Sequence, residues 1–166
     1  DLPRITKSCN TGELAHLPAL KTFITHMKQS GATAHLTGLA SYGGVHAHID
    51  HIGAVATVLC DANIPVCLHL ISDGRDTLPQ TALHDMPDML ARLPEQVVIA
   101  SITGRYFAMD RDKRWERTQQ FLDILVGAQA ANHEEDAISA IEAAYRRGET
   151  DEFVTPTIIG GYEGFA

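Results

Sequence analysis

Apolar residues recur along this chain first at helical and then at strand spacing, and the two spacings alternate. Leu20, Phe23, Ile24 and Met27 fall three and four residues apart, on one helical face, and Gly31 follows where that helix would stop. Ala34 to Ala40 reads as a short strand, and Ser41-Tyr42-Gly43-Gly44-Val45 as a turn. Ile49, Ile52, Val55, Ala56 and Leu59 predict a second helix, and Pro65 announces a second strand from Val66 to Ile71. Leu83, Met86, Met89, Leu90 and Leu93 mark a third helix, which Pro87 should break or restart near its beginning. Val97 to Ile102 is the third strand, and a loop from Thr103 to Arg111 leads into a helix carrying Trp115, Leu122, Leu125 and Val126. Ala137, Ile138, Ile141, Ala144 and Tyr145 give the last helix, ended by Gly148, and Phe153 to Ile159 reads as a final strand.

Strands alternating with helices imply an α/β fold, a three-layer α/β/α arrangement with a mostly parallel central sheet. Its consequence for function is geometric. The loops at 41–48, 72–77 and 103–111 each leave the carboxyl end of a strand, the edge at which open α/β sheets bind ligands.

Composition narrows the class. The 166 residues are 45% apolar, enough for one soluble globular domain without a disulfide or metal staple. The longest apolar run, Ile52 to Cys60, is half a membrane span. Thirteen Lys and Arg against 21 Asp and Glu give a charge of -8, which argues against duplex nucleic acid as a partner. Cys9, Cys60 and Cys67 show no paired spacing and fit reduced thiols in the cytoplasm. Residue 1 is Asp rather than Met, which points to a piece of something longer.

The three loops carry anion-binding groups. Asp73-Gly74-Arg75-Asp76 is by default a turn. Its place after a strand makes Arg75, a planar fork for carboxylate or phosphate, and Asp76, a proton acceptor, candidates for function. His46 follows two glycines that would let a backbone approach a ligand. Thr103 to Arg117 carries five cations and three anions in an acidic chain. Arg105 and Arg111 precede the helix and stand near its positive end, whereas Lys113, Arg114 and Arg117 read as a solvated helix start with mutually satisfying ion pairs, and Phe107 and Trp115 as core. His46, His48 and His51 could instead form a zinc hydrolase site, although a metal needs three or four converging ligands. There is no Gly-rich loop ending in Gly-Lys, no dinucleotide fingerprint and no nucleophile elbow. Composition and spacing reach an anion-binding α/β domain.

In this order, a further set of segments resembles a known family. They are Arg4-Ile5-Thr6-Lys7-Ser8, His35-Leu36-Thr37-Gly38-Leu39, Gly43-Gly44-Val45-His46, Asp73-Gly74-Arg75-Asp76-Thr77 and Gly104-Arg105-Tyr106. Two more are Ala108 to Arg117 and Ala140 to Val154. Together they resemble the cofactor-independent (2,3-bisphosphoglycerate-independent) phosphoglycerate mutases, specifically the domain inserted into that family's metal-binding phosphatase-like domain. Tyr42 and Ala47 depart from the family pattern beside His46.

The resemblance implies an isomerase of glycolysis and gluconeogenesis. In the family, a metal-activated serine of the other domain takes the phosphoryl group from 3-phosphoglycerate and returns it to the 2-hydroxyl of the re-oriented glycerate. It implies that His46, Arg75, Asp76, Arg105 and Arg111 hold the phosphoglycerate, with Asp76 exchanging a proton with the glycerate hydroxyl. The serine and its metal ligands find no match here, so two divalent metals, manganese by family habit, are expected in a partner domain of the same polypeptide and none on this chain. Residues 1–159 are then the substrate-binding (phosphotransferase) domain, inactive alone, and residues 160–166 a flexible hinge rich in glycine. Arg105, on a loop, is expected to bury little. The alternative is a stand-alone binding module for phosphorylated metabolites, without catalysis.

Overall fold

Val66–Ser72 (β2) runs down the middle of a parallel pair of ladders, with Ala34–Ala40 (β1) on one side and Val97–Gly104 (β3) on the other. Thr157–Ile159 (β5) adds antiparallel to β3, and Asn132–Glu134 (β4) adds parallel to β5, so the sheet order is β1-β2-β3-β5-β4. The computed structural model describes residues 1–165, and residue 166 of the expected hinge lies outside them.

The helices are α1 (Leu2–Asn10), α2 (Pro18–Ser30), α3 (Ile49–Asp61), α4 (Ala82–Ala91), α5 (Arg105–Ala108), α6 (Trp115–Gly127) and α7 (Ala137–Arg146). Strand alternation decides what each face meets. Leu68 and Leu70 of β2 and Ile102 of β3 pack with Ile49 of α3, Met86 and Met89 of α4 and Ile141 of α7 in one buried cluster. Met27 of α2 joins Ala34, Leu59 and Val66 in a second. On the opposite parity, His69 bridges His35 and Ser101, and Tyr162, packed edge-on against His69, donates its hydroxyl to the Leu125 carbonyl of α6. Helices therefore flank a mostly parallel sheet, as the alternation implies.

The departures from the sequence pattern are local. Pro87 lies inside α4 and does not break it; the Leu83 carbonyl loses one intrahelical donor, and burial of Met86 and Met89 holds the helix to the sheet. Helix α1 and the 3-10 turn Glu13–His16 contain no buried residue, so no apolar stripe marked them. The final strand is only three residues, and Asp151–Phe153 before it is a 3-10 turn. Thr103 and Gly104 still belong to β3, and the stretch read as loop contains α5.

Candidate functional site

Asp73, the first residue past β2, organises the carboxyl edge of the sheet. Its Oδ1 accepts the backbone N–H groups of Arg75 (3.1 Å) and Asp76 (3.0 Å), a side-chain-closed turn that Asp favours. Its Oδ2 accepts Ser41 Oγ at 2.5 Å and ties the β1 loop to the β2 loop. Arg105, at the end of β3, completes the assembly: its Nη1 donates to Asp73 Oδ1 and to Asp76 Oδ2, each at 2.6 Å. Burial pushes the Asp73 carboxyl up, but the hydrogen bonds from Ser41, the Asp76 and Arg75 backbone and Arg105 outweigh it, and its pKa lies below the ordinary value. Burial alone would lower the Arg105 pKa; its two carboxylate partners raise it. Arg105 is 7% exposed, so the expectation that a loop arginine buries little fails: it is the floor of the site.

Around that floor opens a cavity of about 140 Å³ whose lining includes His46, Arg75, Arg105 and Arg111. Asp76 touches two of these lining residues, its Oδ2 lying 2.6 Å from Arg105 Nη1 and 3.7 Å from His46 Nε2, the latter too long for a hydrogen bond. All five residues nominated by resemblance are thus brought together, from the three loops that strand order selects. Arg111 makes no ion pair among the described residues. Arg75 donates to Glu152 at 3.1 Å, and Arg117 to Asp110 at 3.0 Å and Asp112 at 3.3 Å. The Arg117 guanidinium also lies 3.8 Å from the centre of the Tyr106 ring, a cation–π contact.

Arg117 has the ion pairs expected of the charge run, but it is a wall of the site rather than a solvated side chain. Its i,i+7 relation to Asp110 was the signal available. Asp73 was inside the motif but looked like a turn former. Glu152 lies in the family-like segment Ala140 to Val154, but nothing in the sequence links it to Arg75, 77 positions away. Trp115, expected in the core, is 72% exposed beside the arginine loop.

Two of the three imidazoles of the alternative metal reading are engaged elsewhere. His48 caps α3 by accepting from the Asp50 N–H, and His51 shares a 2.8 Å hydrogen bond with Thr6. Among the described residues no three His, Cys, Asp or Glu side chains are grouped to hold a metal ion, and the carboxylates at the site are each engaged by an arginine: Asp73 and Asp76 by Arg105, Asp110 and Asp112 by Arg117, and Glu152 by Arg75. This donor set does not fit a metal centre. A larger cavity, about 1060 Å³, lies elsewhere, against His35, Cys67, Tyr162 and Phe165, and gathers no comparable set of cations.

Comparison with known proteins sets this geometry in a lineage. Residues 5–165 match the family model described as BPG-independent PGAM N-terminus. The chain belongs to that mutase family.

The 2,3-bisphosphoglycerate-independent phosphoglycerate mutase of Dinoroseobacter shibae is 51% identical over 164 residues, and that of Gluconobacter oxydans 47% over 164. Each alignment covers 99% of this chain but 32% of the relative, so the chain spans about a third of the mutases it matches. A solved Leishmania mexicana phosphoglycerate mutase, crystallised at low cobalt concentration, superposes with a TM-score of 0.85 at 25% identity, over 95% of this chain and 31% of that one. This chain is the N-terminal domain named by the mutase family model. No helix among the described residues is long and apolar enough to cross a membrane.

Proposed function

We propose that this chain is the substrate-binding part of a cofactor-independent phosphoglycerate mutase that interconverts 3-phosphoglycerate and 2-phosphoglycerate, a cytoplasmic step of glycolysis and gluconeogenesis. The observation that carries the reading is the convergence of Arg75, Arg105, Arg111 and His46 on one small cavity at the carboxyl edge of the sheet, with Asp76 against Arg105 and His46. Arginine forks match both ends of a phosphoglycerate, carboxylate and phosphate, and a ligand held by several of them loses little further freedom when it reacts. Asp76, accepting from Arg105 and lying beside His46, is the group to exchange a proton with the glycerate hydroxyl.

Residues 1–159 form the binding unit in this proposal, and the glycine-containing segment from 160 leads toward the rest of the polypeptide, two-thirds of the relatives' length. The metal-assisted serine chemistry, with manganese as the expected ion, belongs to that remainder. No step assigned to this chain passes through it, and alone the chain does not turn over.

An NMR titration of the labelled chain with 3-phosphoglycerate at low salt tests the reading. Saturable shifts on the loops of His46, Arg75–Asp76 and Arg105–Arg111 are expected, with a Kd on the order of 1 mM, about 4 kcal/mol. Shifts elsewhere, or mutase turnover by this chain alone, would sink it.

A further inference from the structure

Glu152 reaches the ligand cavity from a segment that is fixed on every side. Its neighbour Asp151 is 1% exposed; the carboxylate accepts the N–H groups of Thr81 (2.9 Å) and Ala82 (3.0 Å) at the start of α4 and the Tyr145 hydroxyl at 2.5 Å. The Asp151 carbonyl accepts Ser72 Oγ at 2.7 Å, and its N–H donates to the Pro79 carbonyl at 2.8 Å. Glu152 itself is clasped between two glycines. A Cβ at Gly74 would stand 2.5 Å from Glu152 N, and one at Gly104 would overlap Glu152 O, so only glycine lets both ligand loops close on this peptide.

From this rigid backbone the Glu152 carboxylate, 18% exposed, accepts a single hydrogen bond from Arg75 Nη1 at 3.1 Å, while the Arg75 side chain is 50% exposed. A half-exposed arginine on a loop otherwise samples many rotamers, and ordering it at the moment of binding subtracts from affinity. One anchored Nη1 stops that sampling. The other guanidinium N–H groups have no partner among the described residues and remain available to an anion.

We propose that Glu152 is a positioning residue for anion recognition, holding the Arg75 guanidinium at the cavity so that its remaining donors meet a phosphate or carboxylate in a fixed orientation. The inference rests on the mutase reading above. Glu152 acts through Arg75 and touches no substrate. Its charge also offsets that of Arg75, as Asp73 and Asp76 offset Arg105 and Asp110 offsets Arg117. The cavity thereby selects by donor geometry more than by surplus positive charge, with Arg111 the cation outside any ion pair among the described residues.

The test uses the full-length polypeptide, with Glu152→Ala, Glu152→Gln, Glu152→Asp, Arg75→Ala and the Glu152→Ala/Arg75→Ala double variant, assayed for turnover of 3-phosphoglycerate. Glu152→Ala should lower kcat/KM on the order of tenfold, mostly through KM, and should add nothing once Arg75 is alanine. Gln keeps the acceptor oxygen at the same reach and should stay near wild type. Asp keeps the charge but is one methylene short, and should resemble Ala. Additive losses in the double variant, an alanine variant as active as wild type, or Asp outperforming Gln would overturn the proposal. If the alanine variant melts early, the Gln and Asp pair decides. The Arg75 Nε–H NMR signal gives a readout free of turnover: ordered in wild type and Gln, motionally averaged in Ala. Averaging already in wild type overturns the proposal. Absence of turnover by wild type counts against the mutase reading, and the Arg75 signal still decides the role of Glu152.

Discussion

Arg105 Nη1 lies 2.6 Å from Asp73 Oδ1, and the two side chains, 8% and 3% exposed, are buried at the cavity between the three loops. The ion pair is thus part of the fold as well as of the site. Removing Arg105 leaves a buried carboxylate with its hydrogen bonds from Ser41 and the turn but without its counter-charge, which is more damaging than losing a surface bridge.

Arg105→Ala should therefore destabilise the chain by about 3 kcal/mol, read from urea unfolding, in addition to abolishing anion binding. Lysine should recover part of the stability but not anion binding, because the contacts to Asp73 and Asp76 both leave the single Nη1, which an ammonium can imitate, whereas the other donors of the guanidinium fork are lost. Unfolding of Arg105→Ala at the wild-type urea midpoint would contradict the buried pairing.

Arg111 offers the complementary case. It lines the cavity without an ion pair among the described residues, so its loss should leave stability within about 0.5 kcal/mol of wild type. Binding of 3-phosphoglycerate should weaken about tenfold, the scale of one charge-assisted hydrogen bond. A changed melting temperature with unchanged NMR-detected affinity would reverse the assignment.

How much of this was legible in the sequence follows from which contacts are local. Val66 onward could be read because a buried parallel strand is a nearly continuous apolar run, whereas Ala34 to Ala40, an edge strand with His35 and Thr37 in it, was marked only by its short extended pattern between Gly31 and the glycine turn. The three loops followed from strand order, and His46, Arg75, Asp76, Arg105 and Arg111 from their motifs. The depth of Arg105 could not be read, because its burial depends on Asp73 across the strand edge. Glu152 was missed for a related reason, because Arg75 is reached only through the fold, whereas the contacts of Arg117 with Asp110 and Tyr106 are local but depend on how the arginine loop closes against its helix. Trp115 misled because an aromatic at a helix start is usually buried, and here it stands open to solvent.

Gly104→Ala should be severe despite an ordinary backbone conformation, φ -63°. The added methyl would strike the Glu152 carbonyl and Val154 N, both backbone atoms that no rotamer change can move aside. A loss of about 2 kcal/mol or more is expected by thermal or urea unfolding, with the Arg75 and Arg105 loops displaced together in amide chemical shifts. Tolerance of alanine there would mean the turn Asp151–Phe153 is not clamped as described.

On the opposite face of the sheet, the His35–His69–Ser101 chain should make stability depend on pH. His69 shares hydrogen bonds with His35 Nδ1 at 3.0 Å and Ser101 at 2.8 Å and is 0% exposed. Burial, aided by the neighbouring His35, depresses its pKa from 6.5 to about 4, and burial also lowers that of His35. Above the ordinary value both folded and unfolded chains carry neutral imidazoles, and the pair contributes no pH dependence. Between about 6.5 and 4 the unfolded chain takes up a proton that folded His69 refuses, so stability falls as pH falls. A shift of that size corresponds to about 3 kcal/mol for His69. Urea midpoints from pH 7.5 down to 4 should decline more steeply for wild type than for His69→Gln, which cannot titrate. The His69 ring signals should titrate near pH 4. A midpoint near 6.5, or equal slopes for the two proteins, would show that this imidazole is solvated rather than sealed beneath Tyr162.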